Sequence, residues 1–144
     1  MNHTFAWSSE TGEVYAWGAG SFGKLGFGNT DNINEPTIMD CFNEASKVGM
    51  KITHIACGDN HTLAILNTMD EEKKDEAKKL FVWGCSKSWQ LGLDNDFGED
   101  ILIPHQIDPD PWNGTISQVL ANNNYSAALN SKGEVIIFYI NFFM

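Results

Sequence analysis

Two stretches decide the fold: GEVYAWGAGSFGKLGFGN, from Gly12 to Asn29, and LFVWGCSKSWQLGLDN, from Leu80 to Asn95. In each, a β-capable run ends in Trp-Gly (Trp17-Gly18 and Trp83-Gly84). A Leu-Gly pair then follows, with nine residues from Trp17 to Gly26 and nine from Trp83 to Gly92. A second pair of segments repeats at an offset of 64, ITHIACGDNHTLA from Ile52 over ISQVLANNNYSAA from Ile116. The N-terminus joins in, because Asn2 to Ala6 matches Asn60 to Ala64 at an offset of 58, and Gly12-Glu13-Val14 recurs as Gly133-Glu134-Val135. The order of these pieces is the same in each copy, which is the signature of a repeat architecture.

Each unit reads as short strands joined by turns. Gly58-Asp59-Asn60 turns into the apolar run Thr62 to Leu66, a loop follows, and Gly-Glu turns into the Trp-bearing strand. Gly20, Gly23, Gly26, Gly28 and Asn29 mark a long turn-rich connection, and Pro36 and Pro104 each precede another β-capable stretch. The period is 66 residues from Trp17 to Trp83 and 55 from Trp83 to Phe138. Short strands at such a spacing predict an all-β chain of β-propeller blades, each a four-stranded antiparallel sheet, in an incomplete ring. The expected organisation is a partial propeller over 1–138. Residues 1–17 end one blade, 18–83 form one repeat with a charged insertion at 70–79, 84–138 form the next, and 139–144 are an irregular apolar tail.

These motifs resemble the regulator of chromosome condensation repeats, which form seven-bladed propellers. The resemblance rests on the two stretches quoted first, on ITHIACGDNHTLAIL from Ile52 and on the weaker ISQVLANNNYSAALNSKGEVIIF from Ile116. It covers Asn2 to Phe138. Three departures stand out: Tyr125 where the pattern has His, Asn122 where it has Gly, and Phe138-Tyr139 where it has Trp-Gly. The repeated positions Trp17, Gly18, Leu25, Gly26, His61, Trp83, Gly84, Leu91 and Gly92 read as structural core. Burying one Trp removes about 150–250 Å² from water, an upper bound of about 4–6 kcal/mol. On this reading Trp17 and Trp83 are interchangeable anchors.

Composition narrows the function. The 144 residues are 42% hydrophobic and 19% charged, too apolar for disorder. The longest apolar stretch falls far short of the ~18 residues of a membrane span, and Met1 to Thr4 lack the marks of a signal peptide. Nineteen acidic residues against nine basic ones, all lysine, give a net charge of −10. That charge repels a phosphate backbone, so no direct nucleic-acid binding is expected, and the short apolar stretches give the expectation of no membrane partner. Three cysteines at irregular spacing fit reduced thiols, and the chain is expected to be intracellular, cytoplasmic or nuclear.

Several chemical motifs dissolve on inspection. Gly18-Ala19-Gly20-Ser21-Phe22-Gly23 fits G-x-G-x-x-G, and Asp96-Phe97-Gly98 mimics a kinase triplet. No helix-forming run follows Gly23, and the chain contains no H-R-D loop. His54, Cys57 and His61 suggest a metal spacing, but His61 recurs as His3, and Cys57 recurs as Ala121, which cannot ligate. Asp94-x-Asp96-x-Gly98 fails as a calcium loop because its glycine is one place early. No catalytic residue, cofactor or metal ligand is assigned.

The clearest irregularity is an eight-residue insertion within 70–79, with opposite charges at Glu71–Lys74, Asp75–Lys78 and Glu76–Lys79. Loops on a rigid scaffold commonly carry function. Glu71, Glu72, Lys73, Lys74 and, in a second acidic loop, Trp112 are therefore the candidate partner contacts. The expected function is a non-enzymatic protein–protein interaction module, with self-association through open blade edges. What the resemblance adds is the alternative of a piece of a guanine nucleotide exchange factor for a Ran-type small GTPase, or of a repeat-bearing ubiquitin ligase.

Overall fold

The computed structural model describes residues 2–70, 72, 78–93, 99–107 and 114–138. Along these residues run β1 (His3–Trp7), β2 (Val14–Gly18), β3 (Ile33–Ile38), α1 (Asp40–Lys47), β4 (Met50–Cys57), β5 (His61–Thr68), β6 (Lys79–Gly84), β7 (Ile101–Ile107), β8 (Ile116–Asn122), β9 (Tyr125–Asn130) and β10 (Val135–Phe138). They form three antiparallel sheets in sequence order, β1-β2-β3, β4-β5-β6-β7 and β8-β9-β10. The middle sheet has the four strands expected of a blade. The first sheet holds the counterparts of β5, β6 and β7, and the third holds those of β4, β5 and β6.

Local sequence explains the repeat of shape. The strand pairs β2–β3 and β6–β7 both slip register just before a terminal glycine, between Ala16 and Gly18 and between Val82 and Gly84. Gly18 and Gly84 have φ of +105° and +104°, and a Cβ at either would lie 2.5 Å from a backbone carbonyl oxygen, that of Asn2 or Asn60. Only glycine fits there. Pro36 and Pro104 sit in the outer strands β3 and β7, where a missing N–H breaks no interior ladder.

The sheets pack face to face across two seams. In the first, Val14, Ala16 and Leu25 meet Ile52, Ala64, Leu66 and Trp83. In the second, Leu63, Ile65, Val82 and Leu91 meet Ile116, Val119, Ala128 and Phe138. Trp83 is fully buried, stands edge-on to Phe5 at 5.7 Å, and donates from Nε1 to the Lys24 carbonyl oxygen at 2.9 Å. A Cβ on Gly26 would be 3.0 Å from that Nε1. Phe138 holds the same place in the second seam, where a Cβ on Gly92 would be 2.4 Å from its ring. The sequence link between Trp-Gly and Leu-Gly is therefore a contact between sheets: the Leu-Gly of one connection bears on the ring of the following sheet.

The antiparallel sheets are those expected, with one short helix added between them: α1 joins β3 to β4 and buries Phe42 against Phe81 and Trp83, each at 5.9 Å. It is eight residues long, and no helix among the described residues is long and apolar enough to cross a membrane. Trp17 is not the equal of Trp83: it is only partly buried, whereas Trp83 is fully buried against Val14, Ala16 and Leu25 of the first sheet and its connection. The sheets are bounded differently from the repeat units of the sequence. The unit 18–83 begins inside the first sheet, which continues to Ile38, and stops short of β7, the outer strand of the second. The tail 139–144 lies outside the described residues.

The asymmetry of the two tryptophans sets a prediction. Trp83→Ala should cost about 3–5 kcal/mol in a denaturant melt, the usual price of emptying a large aromatic site. Trp17→Ala should cost less than about half of that, and Lys87→Ala, on an exposed connection, about 0.5 kcal/mol or less. Equal losses at Trp17 and Trp83 would contradict the seam.

Candidate functional site

The residues with chemical potential gather where β1 and the turn at Ser21–Gly23 meet the Gly58–Asn60 turn. An open cleft of about 560 Å³ lies there, lined by His3, Ser21, Lys24, Cys57, Asp59 and Asn60 among others. Lys24 is almost fully buried, and its Nζ donates to the Asp59 carbonyl oxygen at 2.9 Å and to Asn60 Oδ1 at 3.2 Å. Burial lowers its pKa, with the Asp59 carboxylate opposing. Gln90 holds the equivalent place in the second seam, but its Oε1 turns back to accept from the Ser88 amide at 2.7 Å.

Two histidines bond across the seams in the same way. His3 Nε2 lies 3.0 Å from Thr62 Oγ1, and His61 Nε2 lies 2.7 Å from Ser126 Oγ. The Thr62 hydroxyl donates to the Lys24 carbonyl oxygen at 3.0 Å, so His3 must donate from Nε2 and carry its proton there. Both pairs superficially match a base beside a nucleophile. Thr62 and Ser126, however, are fully buried, and no substrate can reach either hydroxyl. His61 Nδ1 has no hydrogen-bond partner, so nothing orients the ring as a third triad member would. Burial holds both imidazoles well below their ordinary value, at about 4, with Lys24 adding to the effect on His3.

The remaining candidates are dispersed. Burial pushes the Cys57 thiol up to about 11, which disfavours the thiolate a nucleophile needs. His54 is exposed on β4 and bonds its neighbour Thr53 at 3.2 Å, while His61 is buried. No group of three His, Cys, Asp or Glu side chains among the described residues could hold a metal ion. No α-helix opens directly after Gly23 to receive a phosphate, since β3 comes next; a Cβ on Gly23 would strike Leu102. The structure brings Leu25, Gly26, Trp83, Leu91 and Gly92 to the seams, and leaves Glu72 exposed. Glu71, Lys73, Lys74 and Trp112 lie outside the described residues, as do Asp94, Asp96 and Gly98.

Sequence reasoning overlooked Lys24, Thr62 and Ser126. The signal existed: Thr62 and Ser126 are aligned at the offset of 64, and Lys24 and Gln90 both directly precede Leu-Gly.

The buried imidazoles predict a pH response. In the unfolded chain they titrate near their ordinary 6.5, whereas in the folded chain they stay neutral down to about 4. The unfolded state therefore binds more protons between those values, and stability falls as pH drops from about 6.5 toward 4. Equilibrium melts should show a loss on the order of 2 kcal/mol from His61 alone, and His61→Gln should flatten the profile over that range.

Comparison with known proteins agrees with this geometry. The profile of the "Regulator of chromosome condensation (RCC1) repeat" matches residues 11–65 and 79–129. The Arabidopsis thaliana ultraviolet-B receptor UVR8 is 36% identical over 135 residues, 93% of this chain and 27% of that protein. The human E3 ubiquitin-protein ligase HERC2 is 35% identical over 102 residues, 71% of this chain and 2% of that protein. The chain thus spans about a quarter or less of these relatives. Among solved structures, human WBSCR16 superposes with a TM-score of 0.73 at 24% identity, over 96% of this chain and 31% of that one. Prp20p of Saccharomyces cerevisiae gives 0.61 at 26% identity, over 94% and 28%. With that profile matched over both repeat regions, the chain belongs to the regulator of chromosome condensation (RCC1) repeat family.

Proposed function

We propose that the chain is a non-enzymatic protein-interaction module, and that its partner is a protein with a basic face. The observation that carries this reading is where the polar side chains of the repeat are used. His3, His61, Lys24, Thr62, Ser126 and the Trp83 indole N–H all hydrogen-bond from one sheet or connection to the next. The chemistry that could have served catalysis is committed to holding blades together. What remains for a partner is the loops and an overall charge of −10, which speeds encounter with a basic surface. The charged insertion, with Glu71, Glu72, Lys73 and Lys74, and the acidic loop bearing Trp112 are the proposed contacts. Such a module works in the cytoplasm or nucleus.

The comparisons favour a second reading, in which the chain is part of an exchange factor. Prp20p is described with binding properties toward Gsp1p and histones, and another solved structure is of yeast RCC1 (Prp20) bound to Kap60. A small GTPase is accordingly one proposed partner. A place within a repeat-bearing ubiquitin ligase such as HERC2 is a further one. Exchange requires a partner to be gripped over a large contact, and specific interfaces bury about 1,600 Å² in total. The insertion at 70–79 has no aromatic or large apolar residue to drive out a nucleotide.

Release of fluorescent GDP from a Ran-type GTPase separates the two readings. With stoichiometric chain the rate should stay within about twofold of the intrinsic one, and acceleration of about tenfold or more would establish the exchange reading instead. Binding of a basic partner should weaken steeply as salt is raised, because exposed charges are screened within about 8 Å at physiological ionic strength.

A further inference from the structure

A groove opens in the first seam between the outer parts of its two sheets. One wall is the end of β3 and the start of α1, with Ile38, Met39, Asp40 and Cys41, and the other is Ile103 of β7. Its floor is the connection at Gly26 and Phe27. A Cβ on Gly26 would lie 3.0 Å from Met39 Cε and 3.3 Å from Pro104, so only a bare glycine passes between them. Two backbone bonds fix the walls. The Gly28 N–H donates to the Leu102 carbonyl oxygen at 2.9 Å, and the Met39 N–H to that of Val14 at 2.8 Å. The groove is mainly apolar and measures about 240 Å³. Sites that enclose a whole small molecule run to roughly 300–1,000 Å³, so this one suits a single side chain.

Two features mark the groove as more than a gap in packing. The first is Ile103, which is 60% exposed. Pro36 and Pro104 align the two outer strands, and the residue before each is Glu35 in β3 and Ile103 in β7. Glu35 is exposed too, although a sheet follows its own, so this position faces solvent and suits a polar residue. In β7 a large apolar side chain stands there instead, and covering it is favourable. The second feature is charge. The segment from Leu25 to Ser46, which supplies the floor and one wall, carries Asp31, Glu35, Asp40 and Glu44 and no lysine. The segment from Ser88 to Ser131, which supplies the other wall, has no lysine either. Glu44 pairs with Lys47 at 2.5 Å, whereas among the described residues no ion pair engages Asp31, Glu35 or Asp40.

We infer that this groove docks a short segment of a partner protein, with one apolar side chain seated against Phe27, Ile38 and Ile103 and a lysine or arginine beside it at Asp40. The inference rests on the basic-faced partner proposed above and gives that partner a place on the scaffold itself. Acidic residues around an apolar floor select this pairing of residue types. They also disfavour a second copy of this chain, whose charge of −10 is of the same sign. The apolar anchor supplies burial, and the cation supplies discrimination, since an acidic segment beside Asp40 is penalised by like charge. A contact of this size is weak and reversible, as small interfaces are.

Cys41 lines the groove and is exposed, so it can report on the occupant. Four short peptides, each an N-terminal cysteine and a glycine followed by Lys-Leu, Lys-Ala, Glu-Leu or Glu-Ala, are offered as mixed disulfides under excess 2-mercaptoethanol. Mass spectrometry of the digested chain gives the equilibrium capture at Cys41, with the exposed Cys57 as internal control. At Cys41 alone, leucine should be favoured over alanine about fivefold or more, and lysine over glutamate about two- to fivefold. Ile103→Glu, which copies the residue of the first outer strand, should erase the preference for leucine. Asp40→Asn should erase the preference for lysine. Circular dichroism checks that each variant is folded, and Ile103→Ser replaces Ile103→Glu should that one not be. Equal capture of the four peptides at Cys41, the same preferences at Cys57, or preferences that survive both variants would overturn the inference. Self-association of the chain that Ile103→Glu abolishes would do so too, because the occupant would then be a second copy. Binding of polylysine, followed as salt is raised, checks the basic-partner reading apart from the groove. If that binding is present while Cys41 shows no preference, the groove falls and the basic-partner reading stands.

Discussion

One carbonyl oxygen, that of Lys24, holds the first two sheets in register. It accepts from the Trp83 indole at 2.9 Å and from the Thr62 hydroxyl at 3.0 Å, so one atom of a connection fixes both the ring and the latch strand of the next sheet. With its proton committed to Lys24, Thr62 can only accept from His3, and that settles which nitrogen of His3 carries a hydrogen. The Lys24 side chain then reaches the far side of the same turn, at Asp59 and Asn60. Buried polar groups are costly unless all are paired. Here the pairing itself specifies how the sheets stack, and packing of Leu25, Trp83 and Phe42 fills the space around it.

The second seam shows what can be exchanged and what cannot. Phe138 fills the site of Trp83 but has no N–H to donate, and Gln90 takes the place of Lys24 and bonds within its own connection. The histidine-to-hydroxyl bond remains, at 2.7 Å. A seam thus tolerates loss of the indole bond as long as the ring volume and the latch persist, which fits the observation that buried shape and satisfied polarity are separate requirements.

Much of this was legible in the chain itself. The recurrence of Trp-Gly and Leu-Gly at a fixed spacing marked Leu25, Trp83 and Leu91, which lie in the seams, but not Lys24, Thr62 or Ser126. Gly18 and Gly84 could be read as obligatory, since a backbone that must pass close to another admits no Cβ. Two things were hidden. The helix at Asp40–Lys47 lies between repeated motifs and has no capping side chain to announce it, as its N-cap is Met39. The unequal burial of Trp17 and Trp83 was hidden because a repeat pattern reports what a position can do, whereas burial depends on what packs against it. The loops proposed for partner contact carry no repeat at all, and nothing periodic fixes their role.

The seams also impose an order in time. Strands within each sheet follow one another in sequence and form by closing short turns, whereas the bonds between sheets join residues far apart: 59 positions for His3 with Thr62 and for Trp83 with Lys24, and 65 for His61 with Ser126. During synthesis at about 5–20 residues per second, Lys24 therefore precedes the ring that will bind its carbonyl by roughly 3–12 s. Throughout that interval the first sheet presents Val14 and Ala16 uncovered to the cell. Each sheet is completed by its successor, so the nascent chain always carries one sticky face at its growing end, and it is there that a chaperone would have to stand guard.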